Sequence, residues 1–314
     1  DDMRYFNSID SIDSLNNSIV TVGVFDGIHL GHTTIIEKMK SLKKMTGGNI
    51  VVITFYPHPR EVLSDNKFQI NYIHSQGRKI DMFANLGVDI LIDITFTKEF
   101  SLIPTYSFLK DYIVDKLNPS HIVVGYDCHF GHDKSQSIKV LQQHQQELGY
   151  ETIVVPPVFY DDKIISSSLI RDCLLNGDVE TANNMLGYEY YIFGQVVYGQ
   201  QLGRTIGFPT VNLFLENNMK LIVANGVYAC KIKWHGDFFD GMCNIGTRPT
   251  VNGSNVTIEV NIFDFNHDIY GENVCIYFYK KIRNEDKFNG LHDLKHQLEK
   301  DRALIKRFFM EEGK

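Results

Sequence analysis

The sequence predicts an α/β protein in two parts: a parallel sheet covered by helices, then a small antiparallel β-barrel with a C-terminal helix. Three observations carry this expectation. Between residues 18 and 155, short β-branched apolar runs alternate with segments of helical spacing, the pattern of strands joined by crossover helices. From Tyr190 to Arg283 helical spacing gives way to strand-like runs separated by turns, as in small barrels. Asp286–Met310 then returns to a helical pattern.

In chain order, Ser18–Phe25 reads as a buried strand, and His32–Met45 places Ile35, Ile36, Met39 and Leu42 on one helical face. Ile50–Phe55 is a second strand, broken by Tyr56-Pro57-His58-Pro59. Ser75 and Gly87 bracket a helix over Arg78–Leu86. Val88–Asp93 and His121–Gly125 are further strands, with a helix near Thr105–Lys116 between them. Ser137–Leu148 is helical up to Gly149, and Glu151–Val155 is a strand. Two short helices follow, near Ser167–Leu175 and Asp178–Leu186, and the domain boundary is placed at 186/187. In the second part His235-Gly236-Asp237 predicts a hairpin turn.

The chain has 314 residues, enough for two domains with a core each. With 31 basic against 38 acidic residues, the net charge of −7 argues against a general nucleic-acid binder. Five cysteines at irregular spacing, with no Cys-x-x-Cys, fit buried thiols in a reducing compartment. The polar start DDMRYFNSIDSIDS has no apolar signal core, and no apolar run is long enough to span a membrane. A cytoplasmic protein with small-molecule partners is the expectation.

Four constellations could carry chemistry. Residues 22–32 read VGVFDGIHLGH. Here Gly23, Phe25, Asp26 and Gly27 lead from a strand to His29 and His32 at a helix start, where amides and imidazoles can meet phosphate oxygens. A near-copy, VVGYDCHFGH at 123–132, carries His129 and His132 but runs into a polar loop rather than directly into a helix. Next come Ser166, Ser167 and Arg171, either a phosphate clamp or simply a helix cap. In the barrel, Gly203, Arg204 and Gly207 precede Thr210 and Asn212, whose hydroxyl and amide oxygens suit Mg²⁺ carried with nucleotide phosphates; the bland alternative is a glycine-rich hairpin. Glu259, in VTIEVNIFDF, is a candidate general base or a solvent-facing carboxylate. No G-x-x-x-x-G-K-[ST] loop occurs, so a kinase here is not of the P-loop type.

Together these motifs resemble the bifunctional bacterial riboflavin kinase/FAD synthetase family. GVFDGIHLGH, FYPHP, VGYDCHFG and ISSSLIR carry the resemblance in the amino half. GRTIGFPTVN, NGVY, NIGTRPTV and the run from Glu259 to Tyr270-Gly271 carry it in the carboxyl half. The resemblance implies a Rossmann-like nucleotidyltransferase domain over 1–186 and a riboflavin kinase domain over 187–314. It implies that ATP phosphorylates riboflavin to FMN, and that a second ATP adenylylates FMN to FAD with release of pyrophosphate. By position, His29, His32, Ser167 and Arg171 would serve the nucleotide phosphates, Thr210 and Asn212 would hold Mg·ATP, and Glu259 would be the kinase base. Flavin contacts would come from Pro57, His58, Pro59, Asp127, Phe130 and Arg283. Asn261 stands where the family often has histidine, Ser168 where it has threonine, and Tyr126 and Cys128 also depart from its usual pattern. A single-function nucleotidyltransferase and a flavin carrier without turnover remain as rival readings.

Overall fold

The computed structural model describes residues 2–64, 69–133, 136–199, 205–215, 220–250 and 253–313. The chain divides into two compact units, Asp1–Ser167 and Ser168–Lys314.

The first unit is built on strands β1 (Arg4–Phe6), β2 (Ser18–Val22), β3 (Asn49–Tyr56), β4 (Ile90–Thr95), β5 (Pro119–Gly125) and β6 (Glu151–Val155). They form one sheet in the order β1-β4-β3-β2-β5-β6, and every pairing is parallel. Alternate residues of each strand feed two cores. Val20, Val51, Ile53 and Ile92 pack with Phe108, Leu109 and Leu141 on one face. Ile19, Ile50, Val52 and Leu91 pack with Ile36, Met39 and Phe83 on the other. Strands buried on both faces explain why the sequence shows continuous apolar runs there rather than alternation. Strand order reverses at β2, whose neighbours are β3 and β5, and ligands of open α/β sheets bind at such a point beyond the strand ends. The His29/His32 loop leaves from β2 and the His129/His132 loop from β5.

The helices Leu30–Thr46, Gln76–Asn85 and Ser137–Leu148 form as the spacing predicts. Gly47 and Gly149 end the first and third in left-handed conformation, with φ of 69° and 79°. Ser75 occupies the cap position of the second but makes no side-chain cap bond. The helix expected near Thr105–Lys116 is instead composite, with wide π-type turns over Phe108–Val114. A small hairpin of β7 (Phe159–Tyr160) and β8 (Lys163–Ile164) closes the unit.

The second unit opens with helices Ser167–Leu175 and Val179–Leu186, the latter capped by Asp178 donating no hydrogen but accepting from Thr181 N. Strands β9 (Tyr191–Val197), β10 (Val211–Phe214), β11 (Gly226–Trp234), β12 (Asp237–Thr250), β13 (Gly253–Ile262) and β14 (Asn273–Arg283) follow. They close into an antiparallel barrel in the order β10-β13-β12-β11-β14-β9, sealed by the β9–β10 pair. The predicted turn joins β11 to β12, with φ of +50° at His235 and +95° at Gly236, the twist a two-residue hairpin needs. The last helix runs Leu291–Glu312, starting later than expected. Its Ile305 and Phe309 pack on Val227, Ala229 and Met242 of the barrel.

Candidate active sites

In the first unit, the turn after β2 bends through Phe25, Gly27 and Ile28, all at positive φ (54°, 85° and 41°). Asp26 anchors it. The Asp26 carboxylate accepts from Ile73 N at 3.0 Å, and its carbonyl accepts from Ser167 Oγ at 2.7 Å. The structure thus joins two motifs that lie 141 residues apart in sequence. Gly27 is required here, because a Cβ would sit 2.8 Å from the Ile73 side chain.

His29 and His32 stack with ring centroids 3.6 Å apart and planes 18° from parallel. Phe25 packs edge-on against His32 at 5.0 Å. His29 is buried, and burial holds its pKa down to about 4. His32 is half-buried as a residue, but its ring is enclosed and its pKa lies well below the ordinary range through desolvation, His29 and Lys79. Both imidazoles are therefore neutral at pH 7. His29 Nδ1 accepts from Gly31 N at 3.1 Å, which puts the ring proton on Nε2. His32 Nδ1 is buried with no hydrogen-bond partner among the described residues.

One expectation needs correcting. The helix-start amides were expected to face an anion, yet Gly31 N donates to the His29 ring, and His32 N and Thr33 N donate to His29 O at 2.8 and 3.0 Å. An N-cap histidine satisfies these donors itself.

The second loop differs in kind. His129 and His132 are exposed, and His132 Nδ1 lies 3.3 Å from Ser101 O. Gly131, at φ 72°, packs so closely that a Cβ would lie 2.5 Å from Thr105 Cα. Asp127 is exposed, whereas Phe130 is buried against Phe108 and supports the loop from below. Cys128 is buried, and burial raises its thiol to about 12, so it is inert at pH 7.

In the FYPHP segment, the Tyr56–Pro57 bond is cis, and Pro59 starts the short helix Pro59–Leu63. His58 caps that helix by accepting from Arg60 N at 3.1 Å. Tyr72 fixes the turn, accepting from His58 N and donating to Glu61 Oε2 at 2.7 Å.

Arg171 lies one turn beyond Ser167 in the same helix and belongs to the second unit. Gly203 and Arg204 lie outside the described residues; Gly207 has φ 82°.

The barrel holds a cavity of about 240 Å³ lined by Thr210, Asn244, Glu259, Asn261 and Arg283 among others. Strand register puts Glu259 between Asn212 of β10 and Asn244 of β12. Asn244 Oδ1 is buried without a hydrogen-bond partner among the described residues. Asn261 Nδ2 donates to Pro209 O at 2.6 Å, tying β13 to the residue before Thr210. Gly199 packs against Asn212, where a Cβ would overlap its amide. Arg248 Nη2 lies 2.5 Å from Glu259 Oε1. Arg283, expected to contact flavin, commits its guanidinium to the buried Asp301, with Nε at 3.1 and 3.0 Å from the two carboxylate oxygens.

Sequence reasoning missed Arg248, Asn244 and Lys79. Among the described residues, no three histidine, cysteine or acidic side chains cluster as a metal site. Among the described residues, none of the five cysteines is joined in a disulfide.

Fold and geometry define a Rossmann-like α/β unit followed by a closed antiparallel barrel. A family model for FAD synthetase matches residues 11–169, and one for riboflavin kinase matches residues 186–309. A bifunctional riboflavin kinase/FMN adenylyltransferase of Bacillus subtilis (strain 168) is 40% identical over 93% of this chain and 92% of its own. One from Buchnera aphidicola subsp. Schizaphis graminum is 35% identical over 98% and 99%. A crystal structure described as a macrolide-efflux protein from Streptococcus pneumoniae superposes with a TM-score of 0.90 at 32% identity, covering 97% and 98% of the two chains. No described helix of the present chain is long and apolar enough to cross a membrane. The chain belongs to the bifunctional riboflavin kinase/FMN adenylyltransferase family.

Proposed function

We infer that this chain makes FMN and FAD in two steps at two separate sites. The observation that carries the reading is the presence of both constellations in one chain: stacked neutral histidines at the sheet's switch point, and a carboxylate between two asparagines in a barrel cavity.

In the kinase step, Glu259 takes the proton of the ribityl 5′-hydroxyl as that oxygen attacks the γ-phosphorus of ATP, and ADP leaves. Thr210 and Asn212 offer hydroxyl and amide oxygens, the hard donors that suit Mg²⁺ entering with ATP and keeping phosphate and water ligands. Magnesium would neutralise charge on the transferring phosphoryl group. In the adenylyl step, an FMN phosphate oxygen attacks the α-phosphorus of ATP and pyrophosphate leaves. The neutral imidazoles of His29 and His32 would donate N–H bonds to oxygens on which charge builds. Gly23, Phe25, Asp26 and Gly27 would shape the nucleotide turn, with Ser166, Ser167 and Arg171 taking the pyrophosphate end, as the motif implies. We place the division between the two functions at 186/187, at the start of the riboflavin kinase match, which begins at residue 186.

Incubation with riboflavin, ATP and Mg²⁺, followed by separation of the flavins, tests the reading. FAD is expected. FMN alone would remove the adenylyl step, and no conversion would leave a flavin carrier.

A further inference from the structure

Beneath the nucleotide turn lies a buried cation that neither reaction step uses. Lys79, on the helix Gln76–Asn85, is 7% exposed. Its ammonium donates to Thr54 Oγ1 at 3.0 Å and to Val24 O at 3.4 Å, and Thr54 Oγ1 itself donates to Val24 O at 3.0 Å. Two buried carboxylates, Asp26 and Asp93, act on it electrostatically, and it acts in turn on His32. Asp93 Oδ2 accepts from Tyr5 and Gln76, while its Oδ1 is buried without a hydrogen-bond partner among the described residues. These groups come from four directions: β4 (Asp93), the turn itself (Asp26), the helix start (His29, His32) and β1 (Tyr5).

Burying a lysine costs several kcal/mol unless it is paired, and an apolar residue would fill this space at lower cost. What the ammonium holds is the carbonyl of Val24, the last residue before Phe25 turns to positive φ. A turn with three left-handed residues needs fixing at both ends. Asp26 is fixed by Ile73 and Ser167, and Val24 by Lys79 and Thr54.

We propose that Lys79 is a positioning residue for adenylyl transfer, locking the Val24–Asp26 turn so that the stacked His29/His32 pair is held for the nucleotide. The proposal rests on the adenylyltransferase reading above.

Three enzymes test it: wild type, Lys79→Met, and the charge-neutral pair Lys79→Met/Asp93→Asn. Wild type converting supplied FMN to FAD supports the underlying reading; failure there ends both. In Lys79→Met, kcat for FMN adenylylation should fall at least tenfold while riboflavin phosphorylation is unchanged. Its KM for FMN should change far less than kcat, the split expected when aligned groups are displaced but substrate still binds. The pair removes the Asp93 charge left uncompensated in the single variant and gives a second enzyme to assay should that variant fail to fold. Persistence of the tenfold loss in the folded pair supports positioning. Recovery of wild-type adenylylation in the pair would overturn the proposal, leaving Lys79 as no more than a counterion for Asp93.

Discussion

Arg248 Nη2 and Glu259 Oε1 form an ion pair at 2.5 Å across neighbouring strands of the barrel. Arg248 is about half exposed, so the pair contributes at most about 1 kcal/mol to stability. The position of Glu259 is set chiefly by its backbone register between Asn212 and Asn244. Glu259→Gln should therefore lower riboflavin phosphorylation by roughly 10²-fold or more with FMN adenylylation intact. Arg248→Gln should cost the kinase much less. Assays of both reactions on both variants check this, and equal loss of the two activities in folded Glu259→Gln would count against two sites.

Asn212 stands directly across from Glu259. Asn212→Asp adds a carboxylate beside an existing one, which disfavours the pair without a cation and favours it with one. The kinase should show a several-fold shifted Mg²⁺ requirement while FAD formation from FMN stays largely unchanged. An unaltered Mg²⁺ titration would return this segment to a structural turn.

The two histidine loops should respond differently. His29→Ala or His32→Ala removes a donor from an enclosed, stacked pair, and FMN adenylylation should drop roughly 10²- to 10³-fold with kinase turnover preserved. His129 is exposed, so His129→Ala should mainly raise the KM for ligand. Steady-state kinetics on supplied FMN separates these outcomes, and equal inactivation of His129→Ala and His32→Ala would reverse the ranking.

Buried neutral histidine also makes stability depend on acid. His29 has its pKa near 4 when folded, against 6.5 ordinarily. Between those values the unfolded chain binds more protons, so stability is full above about pH 6.5 and falls as pH drops toward 4. The contribution from His29 is on the order of 3 kcal/mol. Urea unfolding at pH 7 and pH 5 should show the loss, and His29→Asn, which keeps a capping side chain, should reduce it to the part that buried His32 contributes.

The alternation of strand and helix, the glycine stops and the His235-Gly236 turn were legible because each is a local property of the chain. The pairing of Ser167 with Asp26 was not, since it depends on where strand order brings two distant segments. Lys79 was invisible for a related reason: in sequence it is one polar residue of an amphipathic helix, and only the packing turns it inward. The expectation of free helix amides after His29 failed because a histidine at the cap position can accept the hydrogen bond itself. The short β1 was missed in a polar segment whose pairing with β4 is entirely non-local.

That short strand has a consequence for handling the protein. β1 covers the outer edge of β4, pairing Arg4, Tyr5 and Phe6 with Ile90, Leu91 and Ile92, whereas the barrel is closed on itself. Trimming residues 2–8 would bare an apolar strand edge, a template for recruiting other chains. The trimmed protein should scatter light during refolding at concentrations where the full chain stays clear, marking the N-terminal segment as an aggregation guard.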